Sequence, residues 1–349
     1  LPEAMQRGLI DEREIDEALA RLLTIRFRLG MFDPEENDPY ATLPYSVLES
    51  PAHKAHALRL AQESMVLLKN DGILPLQHNL TRIVVLGPNA DNPEVQLGNY
   101  NGFPSEIVTP LEGIRAKTGA EVLYLQASDY TEATCAGGEI DRALEGADLA
   151  IFVGGISPRL EGEEGDAGRN APEGFAGGDR TSIRLPRAQT EVMRHIHEAG
   201  IPLVFVSMSG SALAFPWEAE HADAILQAWY GGQAAGTAVA DILWGDCNPS
   251  GRLPVTFYAD DSQLPDFTDY SMRGRTYRYF AGEPLYPFGF GLSYSTFAYD
   301  TPVCRTRRPR TGEPITITTR VRNTSDRTGE EVVPASYTHL RAHETEADL

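Results

Sequence analysis

Leu149-Ala150-Ile151-Phe152-Val153 is an apolar run of strand length with no polar residue alternating through it. A strand with one wet face alternates, so a run of this kind fits a strand covered on both faces. Four further runs of similar length flank it: Ile83–Leu86, Val122–Leu125, Leu203–Val206 and Ala224–Ala228. Helical patterns lie between several of them, among them Arg187–Ala199 and Gln233–Leu243, each bounded by Gly or Pro. The alternation predicts a mostly parallel sheet covered by helices, an α/β architecture.

Upstream of this core, Asp11 and Glu14 form a capping pair for a helix whose Ile15, Leu19, Leu22, Leu23 and Phe27 share one face, with Gly30 as its stop. One amphipathic helix cannot bury its apolar face alone, so this one is expected to pack on sequence that precedes it. Phe32 to Pro51 is rich in Pro, Asp, Asn and Ser and reads as a linker. A second helix is predicted from Ser50 as N-cap and Pro51 as first residue, through Ala57, Leu60, Ala61 and Leu68 to Lys69, stopped by Asn70-Asp71-Gly72.

Downstream, Asn248–Tyr299 is dense in Pro, Gly, Tyr and Phe and reads as a long ordered wrap, its aromatic content being too high for a disordered segment. Ile315, Ile317, Thr319 and Val321 alternate with Thr316, Thr318, Arg320 and Arg322, which predicts a half-buried antiparallel strand opening a β-sandwich. Residues 335–349 carry neither period and do not continue the strand pattern.

The 349 residues carry a formal net charge of −20, from 50 acidic and 30 basic side chains. Such a surface repels nucleic-acid phosphates and anionic lipid, and suits a neutral partner such as a sugar. Cys135, Cys247 and Cys304 are too few and too scattered for a disulfide framework or a zinc site. No apolar run approaches membrane-spanning length, and the opening Leu1-Pro2 has no basic region ahead of an apolar one, which leaves secretion open.

The loop after Leu149–Val153 concentrates charge: Glu161, Glu163, Glu164 and Asp166 beside Arg159, Arg169 and Arg180. Ligands of open α/β sheets gather at the carboxyl ends of strands, where this loop belongs, although a charged loop by itself is more often a solvated surface than a site. Its acidic residues do not follow the spacing of a calcium-binding EF-hand. Other constellations fail: Ser207-Met208-Ser209-Gly210 lacks the first Gly of a nucleophile elbow, and Gly87-Pro88-Asn89-Ala90 is neither a dinucleotide fingerprint nor a phosphate loop. His195 and His197 are two apart on a helix and face different directions, unsuited to joint metal ligation. No cofactor and no metal site is predicted.

Three stretches resemble signature segments of glycoside hydrolase family 3. They are Glu63-Ser64-Met65-Val66-Leu67-Leu68-Lys69-Asn70-Asp71-Gly72; Gly231-Gly232-Gln233 through Asp246-Cys247-Asn248-Pro249-Ser250-Gly251-Arg252-Leu253-Pro254; and Tyr286-Pro287-Phe288-Gly289-Phe290-Gly291-Leu292-Ser293-Tyr294. All three stand in the family's order, and the resemblance runs from the opening helix to about Val333. It implies four parts: residues 1–44, the remnant of an N-terminal barrel region plus linker; 45–297, the family's α/β/α sandwich domain; 298–334, the start of a fibronectin type III-like sandwich; and 335–349, an unassigned tail.

The resemblance further implies a retaining exo-acting β-glycosidase whose nucleophile, an Asp, comes from the barrel and is absent from this chain. The family's pattern of a Glu-containing segment followed by Asp-Arg is met by Leu160-Glu161-Gly162-Glu163-Glu164 and Gly178-Asp179-Arg180. It implies Glu163 as acid/base, with Glu161 and Glu164 next. Gly155–Glu164 and Gly274-Arg275-Thr276-Tyr277-Arg278-Tyr279-Phe280 look most like the β-xylosidase branch, with β-glucosidase the nearest alternative. A non-catalytic carbohydrate-binding module on the same fold is the reading from another class. The expected partners are an oligosaccharide or glycoside and the missing barrel, and the resemblance fits a periplasmic or secreted setting.

Overall fold

The computed structural model describes residues 1–162, 171–177, 179–305, 310 and 312–333. The tail 335–349 and the glutamates Glu163 and Glu164 lie outside the described residues. The chain divides into two compact units, Leu1–His53 and Lys54–Leu349.

In the first unit, α1 (Pro2–Gln6) precedes α2 (Glu12–Arg28). The capping box forms: the Asp11 carboxylate accepts from Glu14 N at 2.9 Å and the Glu14 carboxylate accepts from Asp11 N at 3.0 Å. Gly30, at φ +70°, follows the helix. No residue of α2 is buried. Leu22 and Phe27 of the predicted face are 48% and 64% exposed, so that face has no cover within this unit. The linker after it holds two single turns, Glu35–Asn37 and Tyr45–Val47.

The second unit is a three-layer domain. Its elements in chain order are α3 (Pro51–Ser64), β1 (Val66–Asn70), β2 (Arg82–Leu86), α4 (Pro110–Lys117), β3 (Glu121–Leu125), α5 (Gly137–Leu144), β4 (Leu149–Gly155), the short hairpin strands β5 (Phe175–Ala176) and β6 (Asp179–Arg180), α6 (Arg187–Glu198), β7 (Leu203–Met208), α7 (Pro216–His221), β8 (Ala224–Gln227), α8 (Ala235–Trp244) and α9 (Thr276–Tyr279). The main sheet runs β1-β8-β7-β4-β2-β3. All neighbours are parallel except β1, which pairs antiparallel with β8.

Both faces of the sheet are dry, and alternate residues of each strand serve opposite layers. Ile83, Val85, Ile151, Val153, Val204 and Val206 pack with α3, α4 and α8 residues such as Ala61, Ile114 and Val239. Val84, Leu86, Ala150, Phe152, Leu203 and Phe205 pack with α5 and α6 residues such as Ile140, Val192 and Ile196, and with Ala222 just after α7. This double cover is why the strands read as apolar runs without alternation. Phe152 and Phe205 are fully buried, and each such ring is worth roughly 1.5–3 kcal/mol over exposure. On the first face α4 and α8 cross so closely that a Cβ on Gly236 would strike the Thr109 carbonyl.

One element departs from expectation. The helix predicted to reach Lys69 ends at Ser64, and Val66–Asn70 is the antiparallel edge strand β1. Met65, Val66, Leu67 and Leu68 are all buried, a continuous apolar run that a strand with two covered faces can bury and a surface helix cannot.

After α9 the chain forms two antiparallel ladders: β9 (Phe297–Tyr299) with β12 (Val321–Asn323), and β10 (Val303–Cys304) with β11 (Ile317–Thr318). The single half-buried strand expected over residues 315–322 is instead two short strands facing different partners. Ile315 and Ile317 are 53% and 65% exposed, because no second sheet covers these ladders among the described residues.

Asn248 ties this region to the body of the domain. Its Nδ2 donates to Ser295 Oγ at 2.8 Å and Thr328 O at 2.9 Å, while its Oδ1 accepts from Ser293 Oγ at 3.0 Å and Tyr294 N at 2.9 Å. Nearby, Arg252 pairs with Glu331, and the Arg327 guanidinium lies 5.1 Å from the Tyr294 ring centre.

Candidate active site

Strand order places a switch point in the sheet: from β2 the chain moves outward to β3, then returns to the other side of β2 to build β4. Loops that leave the carboxyl ends of β2 and β4 therefore diverge and open a crevice between them, the usual ligand position in open α/β sheets. The β2 loop is Gly87-Pro88-Asn89-Ala90, and the β4 loop leads into the acidic segment.

The base of that segment is rigid. Asn89, fully buried, donates from Nδ2 to the carbonyls of Gly154 at 3.1 Å and Ile156 at 3.2 Å, and accepts from Tyr130 Oη at 2.7 Å. Gln189, also fully buried, accepts from Gly155 N at 2.8 Å and donates to Gly155 O at 2.7 Å. Gly155 adopts φ +116°, and a Cβ there would collide with the Met208 carbonyl of β7. Burial pushes the Tyr130 hydroxyl up to about 12, so it remains a donor to Asn89. Beyond it, a single turn from Ser157, whose carbonyl accepts from Leu160 N and Glu161 N, each at 3.0 Å, delivers Glu161.

Glu161 faces a ring of donors supplied by two other crossings. Its carboxylate accepts from Gly210 N at 2.8 Å and from Ser211 Oγ, both in the loop after β7, and from Tyr230 Oη at 2.5 Å in the loop after β8. Burial, and then the negative charge of Glu161, push the Tyr230 hydroxyl far above its ordinary range and keep it a donor. Trp229, next to it, adopts φ +56° and donates from Nε1 to Ser64 O at 3.0 Å, which fixes the direction in which Tyr230 leaves the strand.

Arg180 closes the other end of the acidic segment onto the same loop. Its guanidinium donates to Ser211 Oγ at 3.0 Å, to Ala212 O at 2.9 Å and to Ser182 O at 3.2 Å. Burial lowers its proton affinity below the ordinary value, and the neighbouring Glu161 charge offsets only part of that. Asp261 holds the outgoing chain after β6 through Ser182 Oγ and Ile183 N, both at 2.7 Å. Ser211 Oγ is thus shared, donating to Glu161 and accepting from Arg180. Glu161, Asp179, Arg180, Ser211 and Phe267 line a cleft of about 490 Å³.

Of the three glutamates proposed from sequence, Glu161 is therefore an anchor of the segment, and Glu163 and Glu164 fall outside the described residues. Ser211, Tyr230 and Phe267 were not singled out by the sequence. Tyr230 stands directly before Gly231-Gly232-Gln233, which was the available signal for it. His195 meets Asp141 at 2.6 Å and His197 lies against Trp217 and His221, both away from the cleft. Among the described residues no three His, Cys, Asp or Glu side chains group as metal ligands, and no helix is long and apolar enough to cross a membrane.

The profile of the glycosyl hydrolase family 3 C-terminal domain matches residues 65–294, the whole sheet and the cleft. The chain belongs to glycoside hydrolase family 3. It is 33% identical to a xylan 1,4-beta-xylosidase of Xylanibacter ruminicola, over 98% of this chain and 56% of that protein. It is also 33% identical to the periplasmic beta-glucosidase of Salmonella typhimurium, over 95% of this chain and 47% of that protein. A solved family 3 exo-beta-xylosidase bound to a xylobiose aziridine probe superposes with a TM-score of 0.75 at 30% identity, over 89% of this chain and 41% of that one. The family 3 chain thus spans about half the length of the relatives it matches.

Proposed function

We propose that the chain supplies the acid/base half of a retaining exo-β-glycosidase active site, acting on terminal β-linked sugars, with β-xylosidase the activity that fits best. The observation that carries this reading is the acidic segment itself, which leaves the switch point of the sheet and is pinned at both ends to Gly210–Ala212 through Glu161 and Arg180. Retaining hydrolysis needs two carboxyl groups about 5–5.5 Å apart, one to attack the anomeric carbon and one to protonate the leaving oxygen and then deprotonate water. Glu163 is our choice for the second role. Three donors already hold the Glu161 carboxylate, two on one oxygen and one on the other, which suits an anchor of the segment better than a group that swings to a leaving oxygen. Glu164 is the remaining alternative.

In this reading residues 1–44 are the end of an N-terminal barrel region that carries the nucleophilic Asp, 45–297 the acid/base domain, and 298–334 the start of a fibronectin type III-like sandwich, which the two antiparallel ladders favour. The relatives named as xylosidases support β-xylosides as substrate. The beta-glucosidase of equal identity keeps β-glucosides as the second reading.

The test compares this chain with the full gene product on aryl β-xyloside and β-glucoside. The chain alone is expected to show no turnover above background, since a lone acid cannot form the glycosyl-enzyme intermediate. The full product is expected to release the β-anomer first by proton NMR. Turnover by the chain alone, or first release of the α-anomer, would overturn the division of roles. Sugar binding by the full product without turnover would favour a binding module.

A further inference from the structure

Phe267 is 86% exposed, yet it lines the cleft shared by Glu161, Asp179, Arg180 and Ser211. Its loop is built rather than loose. The Asp266 carboxylate accepts from Thr268 N at 2.8 Å and Thr268 Oγ1 at 2.5 Å, and Asp269 N donates to Asp266 O at 3.0 Å. The Arg275 guanidinium reaches under the turn to the carbonyls of Asp266 at 3.1 Å and Asp269 at 2.7 Å. An aromatic ring without a polar tip thus lines, from a braced turn, the same cleft as a carboxylate and a guanidinium. That combination matches a pyranose, which has an apolar C–H face on one side and hydroxyls around its rim.

Resting on the proposed acid/base reading, we infer that Phe267 is the stacking platform for the leaving-group sugar, with Asp179 and Arg180 facing that sugar's hydroxyls. The side of the substrate follows from the chemistry. The acid protonates the glycosidic oxygen, which departs with the leaving sugar, so groups beside the root of the acidic segment meet the leaving half. Phe267 is then a specificity-determining residue that favours oligosaccharides over substrates with a small leaving group.

The experiment measures kcat/KM of the full gene product and its Phe267→Ala and Phe267→Trp variants on β-xylosyl fluoride and on xylobiose, with β-glucosyl fluoride and cellobiose in parallel. Fluoride departs without occupying the leaving-sugar position. Phe267→Ala is expected to lose about tenfold on the disaccharide and to stay within about twofold on the fluoride, with Phe267→Trp restoring the disaccharide rate. Equal losses on both substrates would overturn the proposal and assign Phe267 to packing against the N-terminal region. No loss on the disaccharide would overturn it as well. An unaltered protein that cleaves neither fluoride would sink the glycosidase reading, and this inference with it.

Discussion

Tyr230 donates from its hydroxyl to Glu161 at 2.5 Å, joining the loop after β8 to the start of the acidic segment. Removing that donor leaves the carboxylate with two partners, and a hydrogen bond to a charged group is worth about 1.5–3 kcal/mol. Tyr230→Phe is expected to lower the stability of the chain by about that amount in urea unfolding. In the full gene product it should slow cleavage of good and poor leaving groups alike, because it loosens the segment without removing the acid.

Glu163 and Glu161 are separated by leaving-group dependence. Glu163→Ala is expected to lose roughly 10²–10⁴-fold on substrates with poor leaving groups, far less on activated aryl glycosides, and to be partly rescued by azide. Glu161→Gln should lose similar factors on both classes, with no azide rescue. Steady-state rates on an aryl series with graded leaving groups decide between them. The reversed pattern would make Glu161 the acid and Glu163 the support.

Gly155 is predicted to tolerate no side chain. Its backbone lies at φ +116° and a Cβ would meet the Met208 carbonyl of the paired strand. Gly155→Ala should destabilise the chain by more than about 3 kcal/mol, read as a drop in the urea midpoint or as failure to fold.

Glu218 sets a pH dependence of stability. It is 1% exposed and accepts from Thr190 Oγ1 at 2.5 Å, and burial raises its carboxyl above the ordinary value of 4.5. Between the unfolded and the raised folded value the folded state binds more protons, so stability falls as pH rises through that window. Glu218→Gln is expected to remove this decline, and unfolding curves of both proteins from pH 4 upward test it. An unchanged slope would show that Glu218 titrates alike in the two states.

The sheet was legible because its strands are covered on both faces, which leaves apolar runs such as Leu149–Val153 without interruption. The same property hid β1: Val66–Leu68 follow Leu60 and Ala61 so closely that one helix seemed to continue through them. Periodicity alone does not separate a short buried strand from the end of a helix. The acidic segment was visible as composition, but the role of Glu161 was not. Its partners come from positions 210, 211 and 230, which only the parallel pairing of β4, β7 and β8 brings together. Phe267 carried no signal of its own within a wrap already rich in aromatics.

The side chain of Asn248 owes its usefulness to being an amide, with donors and an acceptor engaged at once. Hydrolysis to a carboxylate would set oxygen against oxygen at Ser295 and Thr328. Asparagine usually ages by attack of the following backbone nitrogen on the side-chain carbonyl, a ring closure that requires that nitrogen to lose a proton. The residue that follows here is Pro249, whose nitrogen carries none. The stitch between the α/β body and the C-terminal ladders is thereby protected against the common route of spontaneous deamidation. Exposed Asn101, followed by Gly102, has no such protection.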